Sequence, residues 1–564
     1  MDILFKIFLI SARFTKLFLT LQRVRERQMT KGTVVAPQPE TAEIGTEILR
    51  QGGNAIDAAI AMAFTQTVVD PQMCGIAGFG SAQILMPAHE VHAAIDFHGR
   101  APLATTADMW LDSIEHEATD GWGFILKNRE NEFGYQSIGT PRTLAALEFI
   151  LKKFGTMRLD RLIAPALDYC FDGFLIRPHV SEFWNLPPTA GRDANISMVT
   201  KFSSTRKIYC NENGLPLKIG DKLINKDMGN TLEKISKYGV HEFYEGEISD
   251  RMVRDITING GLLTHKDLTL CKPEEITPLN ASFREFDIFT NHPPGGGIML
   301  LQMLKILENF DLKKLEHNSP EYIRVVSEAM KFATIDKDNK VGDPRFVNVP
   351  LDTLISEEYC SNLSDQISQG RKADVTRFNS GGQESKNTTQ ICVVDQDLNC
   401  VTMTHTLGQP SGVVTDGLGF MYNGAMTVFD PRPGRAGSLA PGKARFSAIS
   451  PTIVKKNNKP ILILGAPGAT YITMGNLQVI LNVLEFGMAI QEAISAPRFA
   501  ATSNIIEISN RILRSTETKL KNMGYPILRD PKSFTFAWVH GILVSEGVVT
   551  GGADPATDGM SLSV

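Results

Sequence analysis

An α+β fold is expected for this chain, and three stretches carry the expectation. Thr389-Gln390-Ile391-Cys392-Val393-Val394-Asp395 and Cys400-Val401-Thr402-Met403-Thr404-His405-Thr406-Leu407 are rich in β-branched residues and flank the polar break Gln396-Asp397-Leu398-Asn399, so they read as an antiparallel hairpin. Residues 137–340 read as mainly helical. Ser447–Val454 and Pro460–Leu464 then read as two more strands, and the turn Gly465-Ala466-Pro467-Gly468-Ala469-Thr470 leads from them into a helix over Tyr471–Glu485.

Residues 1–29 stand apart. Lys6, Arg13, Lys16, Thr20, Arg23 and Arg27 fall three, four or seven apart and mark one polar stripe on an otherwise apolar helix. Lys6 interrupts the apolar run early and no small-residue cleavage site follows, so no clean signal peptide is read and a cytoplasmic location is favoured over a periplasmic or extracellular one. The segment reads either as an amphipathic interfacial helix, the one route to membrane contact, or as an extension ahead of a working start at Met29.

From Gly32 the elements follow closely. Thr33–Ala36 is a strand ended by Pro37 and Pro39, Glu40–Gln51 a helix stopped by Gly52-Gly53, and Asn54–Ala63 the start of a helix whose alanines permit close packing. Pro71–Gly80 is punctuated by glycines, as where backbone approaches a pocket or another strand. Gln83–Met86 and Val91–Phe97 read as paired strands. Helices are expected near Thr143–Lys153, Leu159–Asp172, Asn230–Lys237, Ile298–Phe310 and Pro320–Thr334. Pro293-Pro294-Gly295-Gly296-Gly297 opens the fourth of these, where backbone N–H groups could hold an anion. Gly437–Ala444 nearly spells a phosphate-binding loop, but Ala444 replaces the metal-binding hydroxyl and Pro441 removes an N–H.

Composition excludes several classes. With 564 residues, 43% hydrophobic, the chain has material for a large core. A net charge of −5 and a pI near 6.2 argue against a nucleic-acid partner. Seven scattered cysteines without a CxxC pair argue against a disulfide framework or a zinc site. No metal or other cofactor is expected.

The chemistry is concentrated where the polar lead-in Ser380–Lys386 meets Asn387-Thr388-Thr389. Alone, Asn387-Thr388-Thr389 reads as a glycosylation sequon or as an ordinary strand start. A threonine at the mouth of a strand, behind a polar loop, also suits an N-terminal nucleophile hydrolase. In such an enzyme the chain is cut before the threonine, whose hydroxyl attacks while its freed α-amine serves as base, with a reference pKa of roughly 7.7–8.0.

Motifs along the chain decide between these. Gly53-Asn54-Ala55-Ile56-Asp57-Ala58-Ala59, Ala94-Ile95-Asp96-Phe97 followed by Arg100-Ala101-Pro102, the Pro293-Pro294 glycine run and Gly342-Asp343-Pro344 come first. Thr388-Thr389 before Val393-Val394-Asp395, Ser450-Pro451-Thr452, Gly465-Ala466-Pro467-Gly468, Ala496-Pro497-Arg498 and Ala553-Asp554-Pro555 with Asp558-Gly559 complete the set. In this order they resemble the γ-glutamyltranspeptidase family over nearly all of residues 32–564.

The resemblance implies a four-layer αββα sandwich of two stacked sheets between helices. It implies a precursor cut between Asn387 and Thr388 into a large chain, 30–387, and a small chain, 388–564, after the extension 1–29. Thr388 matches the nucleophile, Thr406 the supporting threonine, and the N–H groups of Gly468 and Ala469 the oxyanion hole. In substrate recognition the chain departs from the family. Gly408, Ala425 and Val428 stand where glutamyl-using members hold the substrate's α-amine, and none has a side-chain acceptor. His98 stands at the carboxylate-binding arginine, with Arg100 two residues on. Ser447 and Ala448 match a serine pair, and Gln390 replaces a common histidine.

The expected activity is therefore that of a self-processing threonine amidohydrolase or acyltransferase acting on an acidic amide without the glutamyl α-amine, oxamate- or acylase-like. Arg432, Arg435, Lys443 and Arg445 near the pocket mouth favour an anion, unless they form only a solvated basic loop. The alternatives are conventional γ-glutamyl transfer and glutathione hydrolysis, with amine recognition rebuilt from Asn423, Gln409 or His405, and an uncleaved binding or structural homologue. The partners on these readings are a small amide or γ-glutamyl substrate, water or an amine acceptor, and the two chains of one precursor.

Overall fold

A computed structural model describes residues 31–118, 123–189, 191–376 and 388–564. The extension 1–29 and Asn387 lie outside the described residues. Two antiparallel sheets carry the fold. The seven-stranded sheet runs Met560–Ser563, Gly32–Ala36, Thr389–Asp395, Cys400–Thr406, Phe79–Met86, Val91–Phe97, Glu274–Ile276. The six-stranded sheet runs Val548–Gly552, His540–Ser545, Lys459–Gly465, Thr452–Lys456, Phe286–Thr290, Leu279–Phe283.

Strand alternation builds the layers. In the predicted hairpin, Ile391, Val393, Val401 and Met403 point to the helices beneath, while Cys392, Val394 and Cys400 meet Ile453, Ile463 and Ile542 of the second sheet. The helix Ala55–Val69 is buried along its whole length under the first sheet, and its alanines let strand and helix approach closely. Asn54 caps it reciprocally with Asp57, and the Asp395 carboxylate accepts from Ala55 N–H at 2.9 Å, tying the hairpin turn to the helix start. Helices Gly297–Leu307, Pro320–Lys340 and Ile472–Leu484 cover the second sheet with a separate core. The result is the expected αββα sandwich.

The helical reading of 137–340 missed three strands of the two main sheets, besides the short pair Phe174–Leu175 and Lys222–Leu223. Glu274–Ile276 edges the first sheet and Leu279–Phe283 the second, where it forms with Phe286–Thr290 a hairpin whose alternation was present in the sequence. The expected strand Ser447–Val454 begins only at Thr452, because Ser447–Ile449 lies over the Gly295–Gly297 turn. That glycine run is not an anion cradle. Gly295 N–H donates to His292 O, Gly296 N–H to Ile449 O and Gly297 N–H to Asn291 Oδ1, and a Cβ on Gly296 would lie 2.5 Å from Ala448 O. The glycines permit backbone contact. No helix among the described residues is long and apolar enough to cross a membrane.

Candidate active site

Thr388 opens the strand Thr389–Asp395 at the edge of a cleft of about 520 Å³. The buried part of that cleft is lined by Thr388, Thr406, Gly408, Arg445, Ser447, Ala448 and Ala469, and the half-buried Val428 also lines it. Thr388 Oγ1 donates to Thr406 Oγ1 at 3.1 Å, and Gly408 N–H donates to the same oxygen at 2.8 Å. Register explains the pairing. Thr389 lies opposite His405, so the even-numbered residues of both strands share the face turned to the second sheet.

The same alternation sends His405 the other way. Its Nε2 lies 2.8 Å from Gln66 Oε1 on the buried helix, and burial pulls its pKa down to about 3, so the ring is neutral. Gln390, on the sheet-facing side, donates to Thr402 Oγ1 at 2.8 Å and accepts from Thr404 at 2.5 Å. It braces the space between the sheets against Gly465, where a Cβ would strike its amide.

Across the cleft, Gly468 and Ala469 form the turn into Ile472–Leu484, and Ala469 and Thr470 line the cleft ahead of that helix start. Gly468 has φ +142° and a Cβ there would lie 2.6 Å from Ala537 Cα, so only glycine fits. Ala469 holds the left-handed region at φ +49°. A helix N-terminus presenting backbone donors is suited to a developing oxyanion. Among the described residues no His, Cys, Asp and Glu cluster could hold a metal ion.

The recognition residues divide. Gly408, Ser447 and Ala448 line the cleft, whereas His98, Arg100 and Asn423 do not. His98 is buried with Nδ1 3.2 Å from Asp96. Burial opposes the Asp96 charge, but His98 and Arg142 beside it prevail and hold its carboxyl well below the usual range. Arg100 pairs with Glu274. Asn423 accepts from Gly139 and Ala425 N–H and donates to Ala77 and Gly139 O, which commits its whole amide to backbone. Ala425 packs its methyl against Gly99 and Gly139.

The four basic residues divide too. Arg432 forms a two-pronged pair with Asp430 at 2.8 and 2.7 Å, and Lys443 donates to the carbonyls of Ala436 and Ser438. Arg435 is 56% exposed, 3.8 Å from Asp430. Arg445 is only 4% exposed and lies in the inner cleft. Burial pulls its guanidinium down to about 9, which leaves it charged at neutral pH.

Thr406→Ala removes the oxygen that receives both the Thr388 hydroxyl and the Gly408 N–H. One such bond contributes about 1–3 kcal/mol, so self-cleavage and turnover are expected to fall about ten- to a hundredfold in a folded protein. Timed gels and steady-state kinetics check this, and unaltered rates would reduce Thr406 to a strand residue.

The chain matches the family model described as Gamma-glutamyltranspeptidase over residues 41–564. It is 33% identical over 492 residues to the glutathione hydrolase proenzyme of Escherichia coli (strain K12), covering 84% of this chain and 81% of that protein. It is 32% identical over 540 residues to the Acylase ACY 1 proenzyme of Pseudomonas sp. (strain V22), covering 95% and 94%. Among solved structures, cephalosporin acylase from Bacillus halodurans superposes with a TM-score of 0.84 at 25% identity, over 94% of this chain and 96% of that one.

Proposed function

The chain belongs to the gamma-glutamyltranspeptidase family, and we propose that within it this protein is a self-cleaving threonine amidohydrolase for amides whose acyl group lacks a free α-amine. The observation that carries the reading is the Thr388–Thr406 hydroxyl pair in a cleft whose acyl wall is Gly408 and Val428. In the uncut chain, Thr388 Oγ1 attacks the Asn387 carbonyl, the peptide nitrogen leaves with the hydroxyl proton, and water hydrolyses the resulting ester. Thr388 stands at φ +144°, which a β-branched residue rarely adopts, and strain of about 1–3 kcal/mol at this junction favours the break. The strand Thr389–Asp395 lies between Gly32–Ala36 and Cys400–Thr406, so chains 30–387 and 388–564 would remain one body after cleavage.

In the cut enzyme the free α-amine of Thr388 takes the hydroxyl proton as Oγ1 attacks the substrate carbonyl. The oxyanion forms against the Gly468 and Ala469 N–H groups. The amine product leaves with that proton, and water or an amine acceptor releases the acyl group from Thr388. Binding a γ-glutamyl ammonium would require acceptors on the acyl wall, since an unpaired buried ammonium costs several kcal/mol. Gly408 and Val428 offer none through their side chains, Asn423 is committed to backbone and His405 faces the helix layer.

The test is paired kinetics on cleaved enzyme with γ-glutamyl anilide and its des-amino analogue, glutaryl anilide. The glutaryl compound is expected to have at least the kcat/KM of the γ-glutamyl one. Strong preference for the γ-glutamyl compound would replace this reading with conventional γ-glutamyl transfer.

A further inference from the structure

Resting on the reading of Thr388 as nucleophile, we propose that the buried amides of Gln38 and Gln66, oriented by the Asp70 carboxylate, are positioning residues that hold the start of the small chain once the bond before Thr388 is cut. Three observations converge on them.

The first is a gap in the sheet. On one flank, strand Thr389–Asp395 pairs with Cys400–Thr406 from Thr389 opposite His405 to Val394 opposite Cys400. On the other flank, the ladder with Gly32–Ala36 runs from Asp395 only as far as Cys392, which lies opposite Val35. Pro37, which has no N–H to give, then ends that strand. Among the described residues no strand therefore pairs with Thr389 and Gln390 on that side. In the uncut chain the bond to Asn387 restrains this end. After the cut Thr388 is a free terminus, and a terminus stays ordered only where it is tied down.

The second is what replaces the ladder. Gln38 Nε2 donates to Thr389 Oγ1 at 3.1 Å, and Gln66 Nε2 donates to Gln390 O at 3.2 Å and to Gln38 Oε1 at 2.7 Å. Gln38 stands just before the helix Pro39–Arg50, yet its side chain makes no cap to that helix. Gln66 lies on the buried helix Ala55–Val69. Two side-chain amides, both fully buried, thus grip the two residues next to the nucleophile.

The third is polarity. Gln38 Nε2 also donates to Asp70, and Gln72 Nε2 donates to the other oxygen of the same carboxylate at 2.5 Å. Burial lifts the Asp70 pKa to about 6 against the pull of Arg177 and Gln38, so it is ionised at neutral pH and can only accept. The NH₂ group of Gln38 must therefore face it, which leaves Gln38 Oε1 for the NH₂ group of Gln66. Gln66 Oε1 is left in turn for His405 Nε2 at 2.8 Å, which donates as the N–H of a neutral ring. One fixed charge sets the direction of the whole chain of hydrogen bonds, from Asp70 to the residue opposite Thr389.

The experiment compares wild type with Gln38→Met, Gln66→Met and Asp70→Asn. The two methionines keep the length of the side chain and delete the amide, and the asparagine keeps the shape and deletes the charge. Gln302→Met is the matched control, since Gln302 is a buried amide on the helix Gly297–Leu307 that donates to Asp336 at 2.5 Å. Kinetics are run per cleaved, folded molecule on whichever of γ-glutamyl anilide and glutaryl anilide the wild type turns over faster. kcat is expected to fall about tenfold in each methionine variant and about threefold in Asp70→Asn, with KM within about twofold. Gln302→Met should lower the urea midpoint comparably and leave kcat unaltered. Hydrogen exchange reads the holding role without chemistry: peptides covering 389–391 should exchange at least about tenfold faster in Gln38→Met and Gln66→Met, with 400–406 unaltered. The proposal is overturned if kcat is unchanged in both methionine variants, if Gln302→Met loses as much kcat, or if exchange at 389–391 does not change. A wild type that turns over neither anilide, together with amide-dependent protection of 389–391, would count against the Thr388 reading and leave the holding role supported.

Discussion

Thr388→Ala is expected to run as a single chain near 62.0 kDa and to hydrolyse no amide, and the wild-type chain is expected to resolve into two. The hydroxyl oxygen is the atom that bonds to carbon in both reactions on the proposed mechanism, so no neighbour can substitute for it. Removing the nucleophile of a comparable hydroxyl-based hydrolase costs on the order of a millionfold in kcat. Here the loss is compounded, because an uncut chain never frees the α-amine that acts as base. The fold should survive: alanine keeps the buried Cβ, and the lost hydrogen bond to Thr406 contributes about 1 kcal/mol. Thr388→Ser retains a hydroxyl and should still cleave. If Thr388→Ala is cut as fast as wild type, a contaminating protease makes the cut and the nucleophile assignment falls.

The second large effect is expected behind the cleft, at Asp554→Ala, a residue that does not line it. Arg498 and Asp554 form an ion pair with side chains 3% and 0% exposed. Arg498 also donates to the carbonyls of Ile494 and Ala537, and Asp554 accepts from the Val539 and Ala556 N–H groups. The pair therefore holds segment 537–539, whose Ala537 packs under Gly468 and whose Trp538 N–H donates to Pro467 O. Deleting the carboxylate leaves a buried guanidinium without its counter-charge, a change that costs about 3–5 kcal/mol. Urea denaturation should show that loss, and the double variant Arg498→Met with Asp554→Leu should be less destabilised than Asp554→Ala alone. A midpoint shift no larger than that of a surface variant such as Asp416→Ala would show that the pair braces nothing.

Several sequence motifs resolved into scaffold rather than chemistry for one reason. Val393-Val394-Asp395 ends in a carboxylate that caps a helix, Ala496-Pro497-Arg498 and Ala553-Asp554-Pro555 meet as one ion pair, and the Pro-Pro-Gly run is a backbone crossing. A spacing along the chain records that a residue type is required, but not whether its partner is a substrate or another part of the protein.

What the sequence determined by itself was local or periodic. The β-branched hairpin, the Asn54 cap and the helices of 143–171 follow from patterns within a few residues. Strand alternation from Thr388 to Thr406 already implies that the two threonines share a face and that His405 lies on the other. The tertiary structure alone decided which polar groups meet across long sequence separations. It turned Asn423 onto the backbone of Ala77 and Gly139, paired Arg100 with Glu274, and sealed His98 against Asp96. It brought Arg445 beside Gly408, a contact across elements that no spacing encodes. A side chain's role is set by what is buried beside it, and burial beside a distant residue exists only once the two sheets have packed.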